Sequence, residues 1–457
     1  MEQLNLLSEK FSSFAWGIPL LALLIGGGLY LLILSRFLPF RFFGHAIQVL
    51  RGTYDDPDDP GEISHFKALT TALSSTIGMG NIAGVALAIS VGGPGAMFWM
   101  WISAIVGMST KFFTSTLAIM YRGKDSNGDL QGGPMYFIQE GLGRNWKFLA
   151  ILFSAFGMLG ALPVVNVNQL KQAINDIILV PNGVEVSLIS NLTIAAILVI
   201  ITSIVILGGL KRISNIASRM VPSMVILYFV LVLIILTINY SEVPKYFLMI
   251  FTDAFEANYI NDDAVFGGVL GALILLGIKR GAFSNEAGIG TAPMAHGAAK
   301  TDEPVREGLV AMLGPVIDTL IVCTLTALAI LVTGVWETTS DNGVSLTAAA
   351  FQDAIPGYGQ YLLMICVFVF SISSLFSYAY YGTKCMSFLI GANKKHYYNY
   401  LYILSIILAA TTSFSTMINF IDGIFAFMAI PTMLATILLA PKVVKETNEY
   451  LKRLSSK

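Results

Sequence analysis

Charge is what this sequence has least of. Only 12% of its 457 residues are Asp, Glu, Lys or Arg, where soluble domains carry roughly a quarter. The formal net charge is −1, so no basic face is left over to neutralise phosphates, and nucleic acid is excluded as a partner. Cysteine is scarce too. Cys323, Cys366 and Cys385 each sit inside an apolar block. An odd count at that spacing fits neither a disulfide framework nor zinc, so they read as small packing residues. The four histidines, His45, His65, His296 and His396, fall in or near loops with no metal spacing. Serine–histidine, paired-carboxylate and HExxH constellations are missing, which argues against an enzyme, and no cofactor is expected. The N-terminus lacks the basic start of a cleavable signal, and Glu2 and Glu9 flank it, so the first apolar segment is expected to insert uncleaved.

Apolar residues are what is abundant. They make up 55% of the chain and come in blocks of roughly 20 residues, the length that spans a bilayer. Eleven spans are expected, at about 15–38, 66–91, 94–121, 146–178, 187–209, 217–239, 264–292, 306–334, 359–386, 398–415 and 417–440. The last ten are core helices 1 to 10. With spans alternating sides, one side collects Arg36, Arg41, Arg51, Lys67, Arg122, Lys124, Arg144, Lys147, Lys211, Arg212, Arg219, Lys300, Arg306, Lys394, Lys395 and the tail lysines. The other clearly holds only Lys10 and Lys245 of the 27 basic residues, with Glu2, Glu9, Glu185, Glu242, Asp262, Asp263, Glu337 and Asp341. The positive-inside rule makes the basic side cytoplasmic. The expectation is a multi-pass protein of the cell membrane, with its N-terminus outside and its C-terminus inside. Ser241 to Asp263 is too polar to span and reads as an outer connection with a short helix, as does Val344 to Ala354. The loop from Arg122 to Trp146 contains QGGP, Gln131 to Pro134, and its amphipathic Met135 to Ile138 predict a packed inner loop.

Two spans look interrupted. Core helix 1 reads SSTIGMGNIAG from Ser74 to Gly84, and core helix 6 reads LLGIKRGAFSNEAGIGTAP from Leu275 to Pro293. Non-helical backbone at membrane depth survives only inside protein or beside water. Each interrupted span opens a group of five, 66–239 and 264–440. An odd number of spans per group makes the second group start on the opposite side, an inverted repeat. Paired breaks in inverted halves point to a transporter binding site. Freed carbonyls offer hard oxygen ligands to a cation, and freed N–H groups favour a carboxylate. Glycines spaced by four, such as Gly80 and Gly84, also serve close helix packing. The polar cluster of Ser74, Ser75, Thr76 and Asn81 beside them is better explained by a site.

Amides at membrane depth are costly unless paired. Core helix 3 carries Asn166, Asn168 and Gln169, of which Asn166 and Gln169 are candidates to line a substrate site; hydrogen bonding between helices is the alternative. Asp318 in core helix 7 and Lys111 in core helix 2 read equally as a structural pair or as a titrating group for proton coupling. Glu286 reads as a cap of the inner half of core helix 6 or as an inner gate. Phe283 and Phe370 are deep enough to shape or gate a small pocket, with a packing or lipid-facing role as the alternative, and Gly277 in the interrupted stretch is a further candidate to line the substrate site.

At these residues the chain resembles the alanine/glycine:cation symporter family. The matching stretches are ISHFKALTTALSSTIGMGNIAGVA (Ile63 to Ala86), GGPGAMFWMW (Gly92 to Trp101), KRGAFSNEAGIGTAP (Lys279 to Pro293), the loop GGPMYFI, and YYGTKC (Tyr380 to Cys385). The resemblance implies an all-α, leucine-transporter-like fold of five plus five inverted helices with one extra N-terminal span. It implies sodium- or proton-coupled uptake of alanine or glycine. The divisions would be 1–62, 63–240, 241–263, 264–440 and 441–457. Gly78 to Asn81 would cradle the substrate, with its carboxylate on the N–H groups of Met79 and Gly80 and its amino group facing carbonyls near Thr76. Asn81 would be a side-chain ligand of a first cation. A second cation, sodium, would lie between Ser373 and Ser374 on core helix 8 and the carbonyls of Ser74 and Ile77. Ser371 and Ser377 offer the same chemistry one turn away. An uncoupled uniporter or channel, and a membrane nutrient sensor, remain the competing functions.

Overall fold

The computed structural model describes residues 2–259 and 268–456. Asp262, Asp263 and the first residues of the expected second group, 264–267, lie outside that set. Among the described residues, seven helices are long and apolar enough to cross a membrane, or nine when two sharply bent pairs each count as one. Core helix 6, Gly268–Asn285, and core helix 9, Tyr397–Thr411, are the two expected spans that fall short of that test. The first carries Lys279 and Arg280, and the second is only 15 residues long.

The N-terminal span differs from the expected 15–38. A helix at Glu2–Ala15 precedes it, and the span itself, Ile18–Leu34, is bent from that helix by 51°. Pro19 near the start of the second helix has no N–H to continue the first, and Gly17 before it is extended. The first helix packs along core helix 10. Core helix 10 also departs from expectation. Its helix runs unbroken from Phe414 to Ser455, so the expected tail is helical over 441–455. The Tyr450 hydroxyl lies 2.7 Å from His45 Nε2, and Arg453 pairs with Glu303 at 2.7 Å.

Core helix 2, Gly95–Met120, is buried along most of its length, with core helices 6 and 7 packed on it. Core helix 8, Gly359–Ile390, runs beside core helices 1, 3 and 5. Core helices 4 (Leu188–Ile206) and 5 (Gly209–Ile238) turn outward instead, leaving Ile200, Ile204 and Ile226 more than half exposed. An apolar surface of that kind is one that lipid covers. The connecting helices form at Val243–Glu256 and Val344–Ala354, and the loop from Arg122 to Trp146 folds as a two-residue-strand hairpin followed by the helix Pro134–Leu142, with Met135 to Ile138 buried.

At the end bearing Lys67, Arg122 and Lys300, the approach to core helix 1 pairs with the segment that follows core helix 6. Lys300 N–H donates to the Ile63 carbonyl at 2.7 Å, and Glu62 N–H donates to Ala298 at 2.8 Å. Arg122 donates to the carbonyls of Gly297 and Pro60, both at 3.0 Å, of Thr301 at 3.2 Å, and of Ala299. Glu307 joins the same region by accepting from both His65 and His296, so these two histidines are buried hydrogen-bond partners of one carboxylate. Removing the guanidinium leaves the carbonyls of Gly297, Ala299 and Thr301 without a donor, while that of Pro60 keeps the Thr301 N–H at 3.2 Å. At about 1.5–3 kcal/mol for a hydrogen bond to a charged group, Arg122→Ala should lower the melting temperature of the purified protein distinctly. An unchanged melting temperature would mean that water serves those carbonyls as well.

Candidate functional site

Core helix 1 breaks where the glycines and hydroxyls cluster. Its first half, His65–Thr76, and second half, Gly80–Gly92, meet at 52°. Two side chains take over the backbone donors. Gly78 N–H donates to Asn81 Oδ1 at 2.9 Å, and Met79 N–H donates to Asn166 Oδ1 at 3.2 Å. The carbonyls of Ser74 and Ser75 thereby lose the donors a continued helix would supply. Ile77, with ψ at 89°, turns its carbonyl off the helix axis. The second half restarts with a five-residue π-helical turn, Gly80–Gly84, a geometry that recurs at functional sites.

Core helix 8 lays its serine row against this break. Ser374 Oγ lies 2.5 Å from the place a Cβ on Gly78 would take, so glycine is required there for contact rather than for its φ. Ser74 Oγ bonds Ser377 Oγ and donates to the Ser373 carbonyl at 3.3 Å; Ser75 Oγ and Tyr381 Oη are 3.2 Å apart. Ser373 and Ser374 both donate to the Phe370 carbonyl, at 2.9 and 3.0 Å. Ser374 thus stands opposite Gly78 and Ser377 opposite Ser74. Asn166 reaches the break from core helix 3, and Phe283 covers it from core helix 6, 3.4 Å from a Cβ on Gly80.

A second polar cluster lies on the other side of Asn81. Its Nδ2 donates to Asp318 Oδ1 at 2.7 Å, to the Asp318 carbonyl at 3.1 Å and to Ser284 Oγ at 3.2 Å. Asp318 Oδ2 accepts from Ser284 at 2.8 Å and from Thr319 at 2.7 Å. The assignment of Oδ1 and Nδ2 in an amide follows the hydrogen-bond network; turned over, Asn81 would add its own oxygen to this set. Asp318 sits in an eight-residue π-helical segment of core helix 7, Val316–Cys323. Lys111 is buried nearby with its ammonium against Gly314, and makes no ion pair with Asp318 among the described residues. Sequence reasoning missed Asp318 and Ser284 as partners of Asn81, and Thr319 as a partner of Asp318; only the fold brings core helices 1, 6 and 7 together here.

Several expected residues stand elsewhere. Core helix 6 is continuous from Gly268 to Asn285 and interrupts only at Glu286–Thr291, where Glu286 has φ 54° and Gly288 and Gly290 have φ 84° and 103°. Gly277 is therefore mid-helix. A Cβ on it would lie 2.5 Å from Trp99 Cβ and 2.6 Å from the Ala96 carbonyl, the mark of a tight helix crossing. Gly277→Ala should cost roughly 1–3 kcal/mol of stability by overpacking, read as lower folded yield and melting temperature, with the substrate half-saturation of the surviving protein unmoved. A shift in half-saturation alone would return Gly277 to the site. Gln169 accepts from Val344 N–H at 3.0 Å and donates to Gln172 at 2.9 Å, so it anchors the Val344–Ala354 helix. Asn168 holds the end of core helix 9 through the carbonyls of Ala409 and Thr412. Phe370 packs its ring on Tyr228, 5.4 Å between centroids. Thr76 returns its hydroxyl to its own helix. Glu286 accepts from Tyr378 at 2.5 Å and from Thr291, tying the core helix 6 break to core helix 8.

Comparison with known proteins adds a family. The sequence profile described as the sodium:alanine symporter family matches residues 1–457. The sodium/alanine symporter AgcS of Methanococcus maripaludis is 40% identical over 449 residues, covering 97% of this chain and 96% of that protein. The probable sodium/glutamine symporter GlnT of Bacillus subtilis is 32% identical over 442 residues, covering 96% and 89%. In the crystal structure of MhsT in complex with L-phenylalanine, the MhsT chain superposes with a TM-score of 0.61 at 16% identity, over 83% of this chain and 89% of that one. That likeness carries the leucine-transporter fold alone. The relatives are carriers, not enzymes, and with the profile matched from end to end, this chain belongs to the sodium:alanine symporter family.

Proposed function

We propose that this protein moves a small neutral amino acid, alanine or glycine, together with sodium by alternating access. The observation that carries the reading is the break at Gly78–Asn81, set between the core helix 8 serines and the Asp318 cluster. A substrate carboxylate would take the Met79 N–H from Asn166, along with the Gly80 N–H at the start of the second half. Its amino group would meet carbonyls near Thr76. Gly78 and Gly80, hemmed in by Ser374, Asn166 and Phe283, leave room for a short side chain. One cation would bind Ser373 and Ser374 with the carbonyls of Ser74 and Ile77. Another would bind Asn81, Ser284, Thr319 and Asp318, an all-oxygen donor set suited to a hard ion. A buried carboxylate there also supports a proton as the coupling ion. Eleven spans, two inverted groups of five with the divisions given above, an outer N-terminus and a cytoplasmic basic end complete the proposal.

Uptake of labelled alanine into proteoliposomes, with sodium and proton gradients imposed separately, tests it. Accumulation driven by an inward sodium gradient is the expected result. Accumulation driven only by protons would reassign the coupling to Asp318. Downhill flux indifferent to both ions would leave a uniporter, and no flux of any small amino acid would leave the sensor reading.

A further inference from the structure

Of the YYGTKC motif only Tyr381 touches the site above, yet two of its other side chains converge on one atom. Lys384 Nζ donates to the Met294 carbonyl at 2.9 Å and lies 3.0 Å from Tyr380 Oη, which itself donates to Met294 at 3.3 Å. Lys384 is 95% buried, and an ammonium has three protons to give. One is left over. No carboxylate forms an ion pair with it among the described residues, and a buried charge without a counter-ion is expensive.

That leftover donor lines a cavity of about 380 Å³ at the basic end, beneath the corner between core helices 4 and 5. Glu62 and Asp125 line the same cavity, while Leu207, Leu210 and Ile213 supply its apolar wall. Lys395 and His396 line it too, and basic groups, two carboxylates and an apolar wall in one lining match a small zwitterion. The cavity also continues the same helix face: Ser373, Ser377, Tyr380 and Lys384 follow one another at three- and four-residue steps. We propose that this cavity is a second amino-acid site at the basic mouth of the protein, holding the substrate's carboxylate on Lys384 and its ammonium toward Glu62 and Asp125. The inference rests on the reading of the protein as an amino-acid carrier. An occupant there would compete with the Met294 carbonyl for Lys384, and so act on the segment that follows the core helix 6 break.

Protection of an introduced thiol tests this in the full-length protein in nanodiscs. Thr383 lines the cavity, whereas Cys323, Cys366 and Cys385 are buried. In Thr383→Cys, alanine in sodium-free medium should slow modification by a charged thiol reagent. Adding Lys384→Gln should weaken that protection about tenfold or more, as expected for losing one charge-assisted hydrogen bond. Glu62→Gln with Asp125→Asn, at less crowded positions, should weaken it as well and keeps the test open if Lys384→Gln does not fold. Protection that survives both sets of substitutions overturns the proposal. So does inorganic phosphate protecting as well as alanine, or no protection by alanine in a protein that still accumulates it with sodium. Absence of both protection and transport would instead overturn the carrier reading.

Discussion

Asp318→Asn will abolish ion-driven accumulation while leaving the protein folded in the membrane. The substitution keeps the shape of the side chain and one acceptor for the donors of Asn81, Ser284 and Thr319, which lie at 2.7–2.8 Å. It removes the charge. A unit charge 4 Å from a cation is worth about 4 kcal/mol at an effective dielectric of 20, roughly a thousandfold in ion affinity. Sodium half-saturation of alanine uptake, measured beside the elution profile of the purified protein, reads the effect. An unchanged half-saturation would remove Asp318 from cation binding. Loss of pH dependence with sodium dependence intact would make it a proton carrier.

Gly78→Ala should be the more damaging of two glycine substitutions two residues apart. A Cβ at Gly78 would sit 2.5 Å from Ser374 Oγ and 3.1 Å from Asn166 Oδ1, so core helix 1 must draw away from core helices 8 and 3 together. Both proposed pockets would be distorted, and uptake should fall by about a hundredfold or more, near 2.7 kcal/mol. At Gly80 the same Cβ meets the Phe283 ring and the Ser284 Cα, both at 3.4 Å, which is ordinary contact. Gly80→Ala should therefore keep transport and lower alanine uptake more than glycine uptake. Initial rates for both substrates decide it. Equal, mild losses in both variants would mean that the Ser374 contact does not shape the site.

The break in core helix 1 was legible because glycines and hydroxyls stand together where an apolar run should be. Gly277 was misread for a related reason: a glycine that admits Trp99 at a crossing looks, in one dimension, like a glycine that opens a helix. The true interruption of core helix 6 is at Glu286, whose positive φ no propensity suggests. Asn166 and Gln169 are three residues apart and equally polar, and only packing separates the one that reaches Met79 from the one that holds Val344. The partners of Asp318 depend on three helices distant in sequence and on a π-helical segment that the residues of core helix 7 do not announce. The N-terminal bend, by contrast, could have been read from Gly17 and Pro19.

Arg122 ties the lower ends of both interrupted helices to one guanidinium, through carbonyls on either side of their pairing. Two rods pinned to a common post cannot swing independently. A path for solute past one of them at that end needs the other to yield as well. In the alternating-access scheme proposed above, slippage, in which ion crosses without cargo or cargo without ion, would require the post itself to fail, so the fidelity of coupling would be set partly by a residue that touches neither.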